Sequence, residues 1–263
     1  MNLTSNSPPL PDGERVGVRA GVYELMSRLL SAPAAEHGEQ ALHLAFTLSR
    51  TPEISERFQN TLIELVFTLA RTGIQEIERE WQASFALTDG GPLSLCETEY
   101  GMAHIFQKSN TLADIAGFYK AFGLERAAGS ERPDHLSIEF EFLGFLAAKQ
   151  YHALNERRTE LAEVSRAAEH LFLSEHVGQF CIGLFKRMAD AGHGWPSVER
   201  NMDVNRSTRD GFYAAVARTG IAAFDWILAE HAISPIDQLP PMPRIGPDEP
   251  MTCGNCAAAA DHG

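Results

Sequence analysis

Basic residues are in short supply: 22 Lys and Arg stand against 35 Asp and Glu, a formal net charge of −13. That balance argues against nucleic acid or an anionic membrane as the main partner, since both are bound through clustered Lys and Arg. It suits a basic ligand or peptide. The chain has only four cysteines, and Cys96 and Cys181 lie far apart, so no disulfide framework is expected. The longest apolar stretches, such as 62–70, are interrupted and too short to span a bilayer, so no membrane insertion is expected. The opening residues lack a basic region followed by an apolar run, which leaves the cytoplasm as the expected compartment. Enzyme motifs are missing too: there is no Gly-x-Gly-x-x-Gly, no P-loop, no Gly-x-Ser-x-Gly and no His-Glu-x-x-His. None of the ten histidines follows a Glu by three residues, which argues against the paired Glu-x-x-His ligands of a di-iron bundle. No catalytic residue is assigned.

Hydrophobic residues make up 44% of the 263, enough for a substantial core. Their spacing is helical almost throughout. Val22, Leu25, Met26, Leu29 and Leu30 form one stripe over 16–30, and Ile54, Phe58, Leu62, Leu65 and Leu69 form another over 54–71. Further helices are predicted over 39–49, 74–86, 111–122, 134–154, 159–173, 175–192 and 208–231. Thr111 is the expected cap of the 111–122 helix, after the 88–92 break. The 134–154 segment is apolar nearly all round, which places it in the middle of a bundle. No run alternates as a strand does. The expected fold is all-α: one helical-bundle domain over 15–233, a disordered tail over 1–14, and a Pro-rich tail over 234–263 with six prolines and Cys253-Gly-Asn-Cys256.

The densest polar group is Glu131-Arg-Pro-Asp134-His135, immediately before the most apolar helix. Asp134 is positioned as its N-cap, and Glu139 shares a helix face with His135. The plain reading is a capped helix with a locally bonded histidine; the functional one is a polar rim beside a buried helix. Glu97 and Tyr100 follow a Gly-Gly-Pro turn and can wall the other side of a cleft. His176 and Phe180 lie one turn apart, and by propensity alone a core aromatic beside a half-exposed histidine explains them better than a binding role. Cys253 and Cys256 have the spacing of half a zinc site or of a redox pair, although two incidental thiols on a tail explain them better than either.

Four segments in order resemble a known family. Glu131-x-Pro-Asp134-His135-Leu-x-x-Glu139-x-Glu141-Phe142-Leu143 is similar to the helix signature of the TorD/DmsD/NarJ molybdoenzyme chaperones. Pro92…Glu97-x-x-Tyr100 resembles their upstream Pro…Glu-Ser-x-Tyr segment. The stretch Asp114…Phe118-Tyr119-x-x-Phe122-Gly123-Leu124 resembles their Phe-Tyr helix, and Leu173-x-x-His176-Val-x-x-Phe180 their Leu-x-x-His-Leu-x-x-Trp. Thr98, Phe140 and Phe180 depart from the usual Ser, Leu and Trp while roughly keeping polarity and bulk. The resemblance implies a non-enzymatic, TorD-like helical chaperone. It would bind the catalytic subunit of a molybdopterin enzyme of the DMSO-reductase superfamily, through its twin-arginine signal peptide, until cofactor insertion. It implies no retained molybdenum cofactor, and at most weak guanine nucleotide binding. The implied client-contacting residues are Glu97, Tyr100, Phe118, Tyr119, Glu131, Asp134, His135, Glu139, His176 and Phe180. The Phe118 segment is closest to chaperones serving dimethyl sulfide and ethylbenzene dehydrogenases and selenate and chlorate reductases. From a different class, a helical enzyme or metal carrier would use His135, Glu139 and the Cys253/Cys256 pair; a helical adaptor is a third possibility.

Overall fold

In the computed structural model, residues 13–85, 93–100, 105–125, 127, 131–191, 211–236 and 238–239 are described. Among them run nine α-helices: α1 (Gly13–Leu30), α2 (Ala35–Leu48), α3 (Glu56–Arg71), α4 (Ile74–Phe85), α5 (Ile105–Ala121), α6 (Leu136–Asn155), α7 (Thr159–Phe172), α8 (Gly178–Ala191) and α9 (Phe212–Glu230). No strand forms among the described residues; the β pairing there is an isolated antiparallel bridge between Cys96 and His135. The fold is all-α, as the periodicities predict. Cys253, Cys256 and nearly all of the proline-rich tail lie outside the described residues.

Several helix boundaries shift by a few residues, and the start of α5 shifts most. Helix α5 starts at Ile105, so Thr111 and Asp114 sit inside it rather than at its first turn. Residues 105–110 contain neither Gly nor Pro, and nothing there stops the helix from extending back.

Helix α6 is the hub. It lies along α1 and packs on α7, while α9 packs on α8, α3, α1 and α4. Phe140 of α6 stacks on Phe224 of α9 at 5.0 Å, and Tyr23 of α1 and Phe185 of α8 close on the same Phe224 ring. Gly220 lets α9 approach α8: a Cβ there would come within 2.7 Å of the Phe185 ring. By length and composition α9 could cross a bilayer, but 72% of its apolar window is buried inside the protein, as befits a core helix. Its first turn has no side-chain cap of its own; the Glu80 carboxylate of α4 accepts the Tyr213 N–H at 3.1 Å instead.

Four helices converge on one buried guanidinium. Arg19 of α1 donates from Nε and Nη2 to the two oxygens of Glu169 on α7, both at 2.9 Å. It also reaches Gln150 of α6 at 2.9 Å and Glu230 of α9 at 3.0 Å, while the Tyr23 hydroxyl donates to Glu169. Arg19 and Glu169 are 1% and 0% exposed. Burial alone would raise the Glu169 pKa, but the Arg19 charge and a hydrogen bond from His231 outweigh it and hold the carboxyl down at about 2. A carboxyl whose folded pKa is depressed stabilises the fold above its ordinary value near 4.5 and loses that contribution as the pH falls towards 2.

Removing one partner of such a pair leaves an uncompensated buried charge, which costs about 3–5 kcal/mol. Glu169→Gln should therefore lower the melting temperature strongly at pH 7. The loss relative to wild type should shrink as the pH falls from 4.5 to 2. Thermal unfolding across that range checks this; a pH-independent loss would contradict the assigned charge state.

Candidate functional site

The start of α6 and the segment 93–100 are joined backbone to backbone. Leu136 N–H donates to Leu95 O at 2.8 Å and Glu97 N–H to Asp134 O at 3.0 Å. Asp134 then ties the two by its side chain. It accepts from Thr98 N at 3.2 Å and Thr98 Oγ1 at 2.7 Å, and Arg132 grips it with Nε and Nη2 at 3.0 and 2.8 Å. Arg132 extends the knot to Glu99, which Lys108 of α5 also meets at 2.7 Å.

The helix cap falls one residue later than the sequence suggests. His135 is the N-cap of α6, and its Nδ1 accepts from Ser137 N at 3.3 Å while meeting Ser137 Oγ at 2.7 Å. Asp134 is unavailable for that purpose because its oxygens are spent on the upstream segment. Burial, outweighing the nearby Glu131 and Asp134, lowers the His135 pKa. A neutral ring suits a cap whose Nδ1 must accept.

One turn into α6, Glu139 is wholly buried and neither oxygen meets a donor. Burial first, and then the adjacent Glu97, push its pKa well above the ordinary carboxyl value. The consistent arrangement is a neutral Glu139 beside Glu97. Glu97 in turn faces His176 Nδ1 at 3.2 Å, and His176 Nε2 faces Asp114 of α5 at 3.2 Å. Burial would depress His176, but Glu97 and Asp114 prevail and raise it.

His176 lies in a turn of π-helix, Leu173–Val177, between α7 and α8. Gly178 ends that turn because a Cβ there would sit 2.4 Å from the Leu173 carbonyl oxygen. Such wide turns often mark functional sites. Around His176 the aromatic rings run in series. Phe118 meets it edge-on at 5.7 Å and Phe172 at 5.0 Å, and Phe172 reaches Phe142 at 4.9 Å, as does Tyr119. Tyr119 donates its hydroxyl to Pro133 O at 2.7 Å. Tyr100 donates to Ser94 O, accepts from Ser94 N, and lies 6.2 Å from Phe180.

Most of the sequence-selected side chains thus converge, and most are covered. Tyr100, Tyr119, Asp134, His135, Glu139, His176 and Phe180 are buried; Glu97 and Phe118 are partly open, and Glu131 is exposed. Arg132, Ser137 and Lys108 were not singled out from sequence, and Asp114 was marked there only as a capping acid and as part of the segment that resembles the family's Phe-Tyr helix. The alternation of charge in Glu131-Arg-Pro-Asp134 was the available signal for Arg132. Two clefts open beside the cluster. One, about 180 Å³, is lined by Glu97, Tyr100, Lys108 and Phe180 among others. The other, about 370 Å³, is apolar, with Tyr119, Leu124, Ile138, Phe142 and Phe145 beneath the carboxylates of Glu125 and Glu141.

Truncating Asp134 leaves a buried Thr98 N–H and hydroxyl without their acceptor, so Asp134→Ala should cost about 3 kcal/mol, at the upper end for bonds to a charged group. His135→Ala loses a cap worth about 1 kcal/mol. Urea denaturation should give losses in that order, and equal losses would contradict the assignment of the cap to His135.

The comparisons with known proteins bear on this arrangement. The family described as nitrate reductase delta subunit matches residues 51–186, just over half of the chain. No curated protein matches the sequence. Among solved structures, one titled as a candidate redox enzyme maturation protein from Archaeoglobus fulgidus is similar, at 18% identity and a TM-score of 0.46, over 85% of this chain and 98% of that one. The matched residues contain all four signature segments, from Glu97 to Phe180. The chain belongs to the nitrate reductase delta subunit family, the NarJ/TorD-like chaperones.

Proposed function

We propose that this protein is a redox-enzyme maturation chaperone that binds the catalytic subunit of a molybdopterin enzyme of the DMSO-reductase superfamily. It engages the subunit's twin-arginine signal peptide in the cytoplasm and holds the subunit for cofactor insertion, without retaining the molybdenum cofactor and without catalysis. The client belongs to the group of dimethyl sulfide and ethylbenzene dehydrogenases and selenate and chlorate reductases.

The observation that carries this reading is the 370 Å³ apolar cleft with Glu125 and Glu141 on its rim. A twin-arginine peptide joins a cationic head to an apolar stretch. An apolar floor with a carboxylate rim complements both, on a chain of net charge −13. The buried cluster supports the cleft from behind: Tyr119 and Phe142 belong to both. Asp134 and His135 fix the start of α6, and contact falls to the partly open and exposed side chains, Glu97, Phe118, Glu131 and Glu141.

Peptide binding measured against salt tests this. Affinity should fall as salt rises, because the arginines are screened. Glu141→Lys should weaken binding at low salt and flatten the salt dependence while leaving the melting temperature unchanged, since Glu141 is exposed. No binding at low salt, together with no co-purified molybdopterin subunit, would overturn the proposal.

A further inference from the structure

His176 has two sides, and the cluster described above uses one of them. The ring is 3% exposed; Nδ1 is held by Glu97, and Nε2 points to Asp114 at 3.2 Å. On that outer side a third donor joins. One oxygen each of Asp114 and Glu175 and one nitrogen of His176 all lie within 4.8 Å of one another. The widened turn at Leu173–Val177 lets the sequence neighbours Glu175 and His176 both reach Asp114 across on α5.

A separate observation points the same way. Behind His176, Glu139 is 0% exposed and directed at Glu97, and no donor reaches either of its oxygens. Carboxyl groups therefore stack on both sides of one imidazole: Glu139 and Glu97 inside, Asp114 and Glu175 outside. Within that column Glu97, Asp114 and Glu175 attract a cation, and the neutral Glu139 does not. The column's geometry is also the one that prepares an imidazole for a metal: a carboxylate accepts a hydrogen bond from Nδ1–H, which fixes the tautomer and leaves the Nε2 lone pair for the ion.

We propose that Asp114, Glu175 and His176 Nε2 bind one divalent transition-metal ion, with Glu97 as the positioning residue behind the ring. One imidazole with two carboxylates is a borderline nitrogen and oxygen donor set, which favours zinc or its first-row neighbours over magnesium or calcium. Tetrahedral zinc with ligands at about 2.0–2.2 Å separates its donors by about 3.3 Å. The His176–Asp114 spacing of 3.2 Å meets this already. Asp114 and Glu175 are both exposed and can close the remaining distance by side-chain rotation. Three protein ligands leave a fourth position for water or for a donor from a bound protein. The inference does not rest on the client-binding reading.

Calorimetric titration with Zn²⁺ tests it, using the full-length chain with Cys253→Ser and Cys256→Ser so that the tail thiols cannot compete. One zinc per chain is expected. In that background Asp114→Asn or Glu175→Gln should weaken binding by about tenfold or more, while Glu163→Gln, on the exposed part of α7, should leave it unchanged. Both ligand variants change surface side chains, so circular dichroism and melting should match wild type. A Co²⁺ adduct should show ligand-field bands without thiolate charge transfer. Loss of all binding once the two cysteines are replaced would overturn the proposal. So would zinc affinity undiminished in Asp114→Asn and Glu175→Gln, and His176 would then serve as an ion-pair bridge between Glu97 and Asp114.

Discussion

The constraint on which this structure turns is that α6 buries polar groups together with its apolar face. Ten of its twenty residues are buried, including Ser137, Glu139 and Gln150, so polar groups on it must find partners inside the protein. Each end of that requirement produces a polar knot. Towards its C-terminus, Gln150 joins Arg19, Glu169 and Glu230, and this clamps α1, α6, α7 and α9 together. At its N-terminus the partners are supplied by the 93–100 segment and by the π-helical turn. Those are the places where the family signature lies.

The signature is therefore first of all a folding device. Asp134 holds an otherwise irregular stretch against α6 by accepting two bonds from Thr98. That stretch delivers Glu97 to His176, and the wide turn delivers His176 to Glu97. Four segments spread along the chain acquire a common position because buried polar groups tolerate no other. On the proposed reading, binding is then left to the rim: an apolar cleft whose floor is shared with the cluster and whose edge is acidic.

The helical architecture was legible from periodicity, and α6 stood out because its apolar residues cover nearly every face. The convergence of Glu97, Phe118, Tyr119, His176 and Phe180 was legible only as resemblance, since no spacing rule connects residues so far apart in sequence. The cap was misread. Asp is a better N-cap than His by propensity, but propensity cannot see that Thr98, 36 residues upstream, donates two bonds to Asp134. The start of α5 was misread in the same way, because a Thr with an acid three residues on is a cap only where a helix actually begins. Burial of Glu139 beside another carboxyl was invisible for a different reason: nothing in a helical pattern says that an acid faces inward.

The central claim is that client recognition occurs at the acidic apolar cleft flanking α6, with the buried signature cluster as its support. Hydrogen–deuterium exchange of the full-length protein, with and without a twin-arginine signal peptide at low salt, tests it most directly. The account predicts added protection in the backbone that lines the cleft, at the end of α5 through Glu125 and over Ile138 to Phe145 of α6. Protection confined to α2 and α3, with none along this cleft, would contradict it.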